Sequence, residues 1–503
     1  MILDIARRRA ELTPGRAAVF WQGRWVTYAA MNRRAEQLAG VLAARGLGKG
    51  ARVGILALNH LAHLDLLMAT AKLGIIYTPF NHRLSLVETK AIAAYVRPAV
   101  MLADAENLAA AEATGVPTLP LEGYEAALAD APAPPSPPPL EPEDIQMILF
   151  TGGTTGLPKG AMQPYRQGFY NAVNTILSWG LREDDCVVQA TPCFHAALNA
   201  FTVPLYHLGA RIALERAFEP DDYLRLVREA GATILFLVPT MYKMLADDAA
   251  FRSTDLSGVR WAISGGAPCP EPVQRAFRER NVRFKQGYGL TEAGVNCFAM
   301  SLDEAEAHPD SVGKAILHAR AVVRREDGTP CAPGEVGELT LAGPHLFAGY
   351  FEREADTAEV LTDGWLWTGD LATMDAEGFV TIAGRRKEMF ISGGENVFPI
   401  EIENALYDHP AVSECAVLGV HDARWGEVGL ATVVPREGAA IDAEGVRGFL
   451  RERLARYKVP KHVRLLDRLP KSGAGKILKS ELRRAFEKER AAHEGEEAGE
   501  ADG

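Results

Sequence analysis

The chain has 503 residues with 48% apolar side chains, enough to bury more than one core, so two or more domains are expected. Its formal net charge of −11 argues against a nucleic-acid partner, which needs a basic face. Six scattered cysteines without a Cys-x-x-Cys pair, no apolar stretch of membrane-spanning length and no cleavable signal pattern at Met1-Ile-Leu-Asp-Ile-Ala-Arg-Arg-Arg9 together predict a reduced, cytoplasmic protein with no membrane span.

Residues 52–103 alternate short apolar runs with helical patterns. The periodicity predicts strands over 53–58, 75–79 and 99–102 and helices over 61–73 and 85–96. A proline-rich connector follows at 131–142, stiff and extended, and reads as a strap within the chain more readily than as a docking peptide. Strand–helix units return with strands over 187–190, 211–214, 234–238 and 259–263. Such repetition predicts parallel sheets covered on both faces, with ligands at the carboxyl ends of their strands.

Between these blocks lies Phe150-Thr-Gly-Gly-Thr-Thr-Gly-Leu-Pro-Lys-Gly160, after a predicted strand over 145–150 and before a helix starting near Tyr165. Gly152, Gly153, Gly156 and Gly160 let backbone N–H groups crowd an oxyanion, while Thr151, Thr154, Thr155 and Lys159 add donors and a charge. That combination suits a polyphosphate; a plain connector needs neither three threonines nor a lysine. It is not the Gly-x4-Gly-Lys-[Ser/Thr] loop, because Leu157-Pro158 precedes the lysine and Gly160 stands where a hydroxyl should hold magnesium.

Further along, Ser264-Gly-Gly-Ala-Pro-Cys269 follows a strand and could let backbone approach a flat ring edge at Gly265, Gly266 and Ala267. Gln286-Gly-Tyr-Gly-Leu-Thr-Glu292 combines an aromatic face (Tyr288, between Gly287 and Gly289), a hydroxyl (Thr291) and a carboxylate able to hold a divalent cation (Glu292). Taken alone, the first segment is a weak signal beside an ordinary strand-to-helix turn, and the second reads better as a packed Tyr288 with a solvated Glu292. From about Gly313 glycine-, proline- and valine-rich runs predict hairpins, hence a β-rich region. Trp367-Thr-Gly-Asp370 offers a carboxylate for paired hydroxyls or an ordinary turn. After Arg385 the pattern turns α+β, with helices over 400–406 and 443–456 and strands over 412–420, 431–435 and 463–466. The acidic end, 489–503, is expected to be disordered.

Phe150–Gly160 resembles the signature loop of the adenylate-forming superfamily, which holds acyl- and aryl-CoA synthetases, nonribosomal adenylation domains and firefly-type luciferases. The other motifs follow in family order, so the resemblance covers about residues 4–488. Phe150 and Gly152 depart from the family's usual tyrosine and serine. The resemblance implies an α/β fold: a large N-terminal domain of stacked doubly wound sheets plus a β-rich subdomain (1–384), a hinge at 385–388, and a small mobile α+β C-terminal lid domain (389–488). It implies adenine held by the 265–267 backbone and Tyr288, Thr291 on the α-phosphate and Glu292 on Mg²⁺. It places ribose on Asp370, and ribose or phosphate on Arg385. Lys387 takes the hinge position.

Leu469-Pro-Lys-Ser-Gly-Ala-Gly-Lys-Ile477 resembles the family's lysine loop and makes Lys476 the catalytic lysine; charge alone would not separate it from Lys471. The family's pantetheine passage maps to Gly393 and Gly394, and its CoA-touching aromatics to Trp425 and Tyr457, for which core packing is an equal alternative; Val459 replaces an arginine there. His195, in Thr191-Pro-Cys-Phe-His-Ala-Ala-Leu-Asn199, matches a histidine that gates the acid pocket, with a structural histidine as the competing reading. The implied reaction uses ATP, Mg²⁺ and coenzyme A: a fatty or aryl carboxylic acid becomes acyl-AMP with release of pyrophosphate, and the acyl group then passes to CoA. Alternatives are loading of a carrier-protein thiol and a non-catalytic acyl-adenylate or nucleotide sensor. A homodimer is compatible with the family.

Overall fold

The helix Leu61–Leu73 buries every one of its residues. A helix apolar on all sides belongs inside a molecule, and the polar groups it carries are paired: Asp65 accepts from Arg34 at 2.8 Å and Lys72 meets Asp4 at 2.7 Å. This helix is the centre of the largest core, into which two parallel sheets send side chains. The computed structural model describes residues 3–151, 158–392, 395–422, 425–471 and 477–501, with side chains as far as Arg490.

The first sheet orders its strands Thr118–Pro120, Val100–Ala103, Arg52–Leu56, Ile76–Pro79, Ile145–Thr151 and Lys159–Pro164. All neighbours are parallel except the last pair, an antiparallel hairpin. The second runs Phe284–Gln286, Trp261–Ser264, Ile234–Leu237, Cys186–Gln189, Arg211–Leu214, Ala17–Trp21 and Arg24–Thr27, again parallel but for its closing hairpin. A third, antiparallel sheet holds Arg320–Arg324, Gly337–Ala342, Trp365–Met374, Leu361–Thr362 and Val380–Arg385. The fourth combines Glu395–Val397, Phe390–Ser392, Gly426–Pro435, Val412–Asp422 and His462–Leu465 and packs the helices Pro399–Tyr407 and Ala443–Arg451. The architecture is therefore the expected α/β body of stacked sheets, a β-rich part and a smaller C-terminal α+β unit.

The proline-rich segment lies along the helix Tyr28–Ala43: a side chain at Gly40 would stand 2.0 Å from the Pro132 carbonyl oxygen, and Lys49 donates to Pro139 O at 3.0 Å. Among the described residues all six cysteines are free thiols, and no helix is long and apolar enough to cross a membrane.

Three expectations need correction. The stretch between Phe150 and Tyr165 is not all loop: Lys159–Pro164 is a strand, which its glycine- and proline-containing sequence concealed. The acidic end is helical rather than irregular, since Lys479–Ala501 is one helix rich in alanine and glutamate, both good helix formers. The helix expected over 443–456 stops at Arg451, and a 3₁₀ turn at Arg456–Lys458 follows.

Candidate active site

Pairing of Ile145–Thr151 with Lys159–Pro164 sets Thr151 opposite Lys159, bringing the two ends of the glycine–threonine stretch together; the Thr151 hydroxyl donates to Lys159 O at 3.4 Å. Gly160 must lack a side chain here, because a Cβ would lie 2.8 Å from Ile148 Cγ2. The outer edge of this hairpin is taken by residues 348–351, with Ala161 bridged to Tyr350. Strand alternation then explains what surrounds Lys159: its ammonium lies 5.0 Å from the centre of the Tyr350 ring and 2.6 Å from Asp356 Oδ1. Gly152, Gly153, Thr154, Thr155 and Gly156 lie outside the described residues.

At the carboxyl end of the second sheet, Gly265, Gly266 and Ala267 follow Trp261–Ser264, and Gly287 donates to Ser264 O at 2.8 Å. Gly289 is required by a close approach, since a Cβ would sit 1.9 Å from the Val295 carbonyl oxygen. Val295 itself holds φ +72, a left-handed conformation costly for a β-branched residue. The turn Thr291–Ala293 is anchored by Gln163 and Gln167, whose side-chain amides donate to Thr291 O at 3.1 and 3.0 Å. Beside it the Glu292 carboxylate, 9% exposed, accepts the Tyr350 hydroxyl at 2.7 Å. Burial and the adjacent carboxylate push the Tyr350 hydroxyl far above its ordinary range, so it remains a donor.

Asp370 and Arg385 are direct partners on antiparallel strands, and Arg385 Nε lies 2.7 Å from Asp370 Oδ1. The other carboxylate oxygen accepts the Tyr288 hydroxyl at 2.5 Å. Burial, then the neighbouring Asp370, raises the Tyr288 hydroxyl far above its usual range. Asp370 is 4% exposed while the Arg385 side chain is nearly half exposed, so the pair presents an acceptor inside and a cation at the rim. Tyr288, Asp370 and Arg385, spread over 98 positions of sequence numbering, thus form one cluster. Two residues on, burial followed by the nearby Arg385 lowers the Lys387 ammonium from its ordinary value. Glu388 turns to Lys479 at 2.9 Å, which also meets Glu403.

His195 sits in a turn before the helix Leu198–Leu208, its N–H donating to Pro192 O at 3.0 Å and its ring 4.5 Å from Phe194. Trp425 and Tyr457 are 47% and 41% exposed, so neither is a core side chain. Tyr457 belongs to the 3₁₀ turn that packs beside Glu395–Val397. Lys471 is paired with Glu414 at 2.7 Å. Lys476, Gly393 and Gly394 lie outside the described residues. Tyr350, Asp356, Gln163 and Gln167 were not singled out in the sequence; the only signal was Gly349-Tyr350 closing an apolar, glycine-bearing run.

Among the described residues no three His, Cys, Asp or Glu side chains converge to hold a metal by themselves. Glu292 still fits one: it is a fixed carboxylate linked through Tyr350 to Lys159, and magnesium is commonly held by one or two carboxylates plus substrate phosphates.

The model of the family described as "AMP-binding enzyme" matches residues 6–351, and that of "AMP-binding enzyme C-terminal domain" matches 401–476. A feruloyl-CoA synthase of Amycolatopsis is 40% identical over 95% of this chain and 98% of its own. An indoleacetate–CoA ligase of Aromatoleum aromaticum is 36% identical, covering 95% of this chain and 96% of its own. The o-succinylbenzoate CoA synthetase of Bacillus subtilis, solved with its acyl-adenylate intermediate, superposes with a TM-score of 0.88 at 29% identity over 95% of this chain and 98% of that one. The same enzyme has been solved with ATP and magnesium ion, with a TM-score of 0.86.

Proposed function

The chain belongs to the AMP-binding enzyme family, and on that footing we propose that it is an AMP-forming acid–thiol ligase that converts an aryl carboxylic acid to its coenzyme A thioester. The observation carrying the reading is that two polar clusters, Tyr288–Asp370–Arg385 and Glu292–Tyr350–Lys159–Asp356, start from one five-residue segment, 288–292, and that the second ends on the strand following the glycine–threonine stretch. The first suits ribose and the second a phosphate chain. Relatives that cover nearly the whole chain and act on feruloyl, indoleacetate and succinylbenzoate substrates favour an aryl acid over a fatty one and CoA over a carrier protein.

A carboxylate is a poor acyl donor because oxide would have to leave. Attack of one carboxylate oxygen on the α-phosphorus of ATP forms an acyl phosphate anhydride and expels pyrophosphate. The CoA thiol then attacks the acyl carbon and AMP departs, its charge delocalised over phosphate. Positioning and electrostatics do most of this work. Asp370 accepts ribose hydroxyl protons, and Arg385, already held on Asp370, orients toward ribose or phosphate. Lys159 exchanges Asp356 for phosphate oxygens, and Glu292, held by Tyr350, keeps a carboxylate oxygen toward the phosphates. Magnesium bound there would neutralise phosphate charge. Lys476 serves the attacking carboxylate and α-phosphate. A hinge at 385–388 then lets the C-terminal unit turn, withdrawing Lys476 and bringing in Gly393 and Gly394 for pantetheine, with Trp425 and Tyr457 exposed for the CoA nucleotide. Reduced thiols and a need for ATP and CoA support a cytoplasmic location.

The test is product analysis with ATP, magnesium and a panel of aryl and fatty acids, with and without CoA. Thioester formed in step with AMP from an aryl acid supports the reading. AMP release that is indifferent to CoA, with no thioester by mass spectrometry, sinks it.

A further inference from the structure

Lys285 is 4% exposed, yet among the described residues no carboxylate pairs with it. Its ammonium lies 4.2 Å from the centre of the Trp261 ring and 5.5 Å from that of Trp179, with Met300 O at 3.5 Å as its hydrogen-bond acceptor. Burial lowers it to about 8, so it is still mostly the cation at neutral pH. A buried ammonium held only by ring faces and one long hydrogen bond is costly, and methionine would fill the same space without that cost. The mechanism above gives it no task.

Its place in the fold supplies one. Lys285 lies two residues before Gly287, on the edge strand of the second sheet, level with Ile263. Register puts Phe236, Ile263 and Lys285 side by side, and Trp261 shares their face two residues back. Phe236 reaches up under Gly265, where a Cβ would be 3.6 Å from its ring, and Ile263 reaches under Gly287. Phe201 covers Phe236 at 5.1 Å and Trp179 at 5.5 Å. The sheet face below the glycine turns is thus an aromatic wall that ends in a cation. From Gly287 to Lys285 the strand rises about 7 Å, the scale of one ring rather than of a long alkyl chain.

We propose that Lys285 determines acid specificity: the enzyme takes aryl acids that carry an oxygen hydrogen-bond acceptor at the end remote from the carboxylate, and that oxygen supplies the partner the buried ammonium lacks. The inference rests on the ligase reading and deepens it. Phe236, Phe201 and Trp261 bound the ring, and the same bulk excludes long fatty acids.

The test compares cinnamic with 4-hydroxycinnamic acid in wild type, Lys285→Met and Lys285→Gln. Two readouts are used: kcat/KM for AMP release, and tryptophan fluorescence on titrating each acid into the protein alone, which Trp179 and Trp261 should report. Wild type should prefer the hydroxy acid about tenfold or more in both readouts, the scale of a hydrogen bond to a charged group. Lys285→Met should bring the two acids to near equality, with KM for ATP unchanged, and Lys285→Gln should keep part of the preference. A wild-type preference that survives in Lys285→Met, or equal use of both acids by wild type, overturns the proposal. If neither acid yields AMP, the ligase reading fails for these acids and fluorescence alone decides: hydroxy-acid binding lost in Lys285→Met supports the subsite, and binding equal in both proteins or absent in wild type removes it.

Discussion

Tyr350 donates its hydroxyl proton to Glu292 Oε1 at 2.7 Å while the Lys159 ammonium lies over the same ring at 5.0 Å. One side chain therefore couples the carboxylate suited to magnesium with the lysine that follows the glycine–threonine stretch. Tyr350→Phe keeps the ring and deletes the hydroxyl. The magnesium concentration for half-maximal AMP release should rise about three- to tenfold, as loss of one hydrogen bond to a charged group predicts, with KM for the acid unchanged. An unaltered magnesium curve would reduce Tyr350 to packing.

Asp370 is flanked by Arg385 and Tyr288, so its replacement disturbs three residues at once. Asp370→Asn keeps the shape but removes the charge and turns one oxygen into a donor that faces either Arg385 or Tyr288, itself a donor. We expect kcat/KM for ATP to fall about 10- to 100-fold, while an acyl-adenylate supplied from outside still reacts with CoA at a higher KM. Unchanged KM for ATP would take Asp370 out of the ribose site.

Lys471 and Lys476 lie five positions apart in sequence, and Lys471 is paired with Glu414. Lys476→Ala should abolish adenylation and spare thioester formation from supplied acyl-adenylate, whereas Lys471→Ala should change either step less than about threefold, the scale of an exposed ion pair. Equal losses in both variants would return the assignment to sequence position alone.

Stability should fall as the solution is acidified from pH 6.5. Burial lowers His60 and His345 to about 4 and His63 to about 3. The unfolded chain takes up protons near 6.5 while the folded one does not, so their contribution is complete above 6.5 and is lost as pH falls toward the folded values. Glu215 runs the other way. Burial raises it to about 8, so the folded chain keeps a proton that the unfolded chain releases above 4.5, and folding grows costlier as pH rises from 4.5 to 8. Glu215→Gln should therefore raise the melting temperature at pH 8.5 by about 2 °C or more and much less at pH 5. An equal change at both pH values would contradict the buried, protonated state.

Periodicity read the fold well wherever a strand or helix faced one environment. Arg211–Leu214 and Leu61–Leu73 fall where their apolar runs place them, and the helix expected over 85–96 runs over Leu86–Val96 with Ser85 as its cap. It missed Ala17–Trp21, a short strand that pairs with Arg211–Leu214 far along the chain, because that pairing is a long-range choice without local trace. In the site, motif residues were legible because their chemistry is local: glycines at close approaches, acids beside turns. Tyr350, Asp356 and Lys285 were not: strand pairing sets Tyr350 and Lys285 beside residues distant in sequence, and the helix Glu354–Val360 brings Asp356 to Lys159.

The central claim is that the acid itself attacks the α-phosphorus of ATP in this site. Acid labelled with heavy oxygen in its carboxylate, turned over with ATP, magnesium and CoA, should pass a single heavy oxygen to the phosphate of AMP. Unlabelled AMP, or ADP in place of AMP, would contradict it.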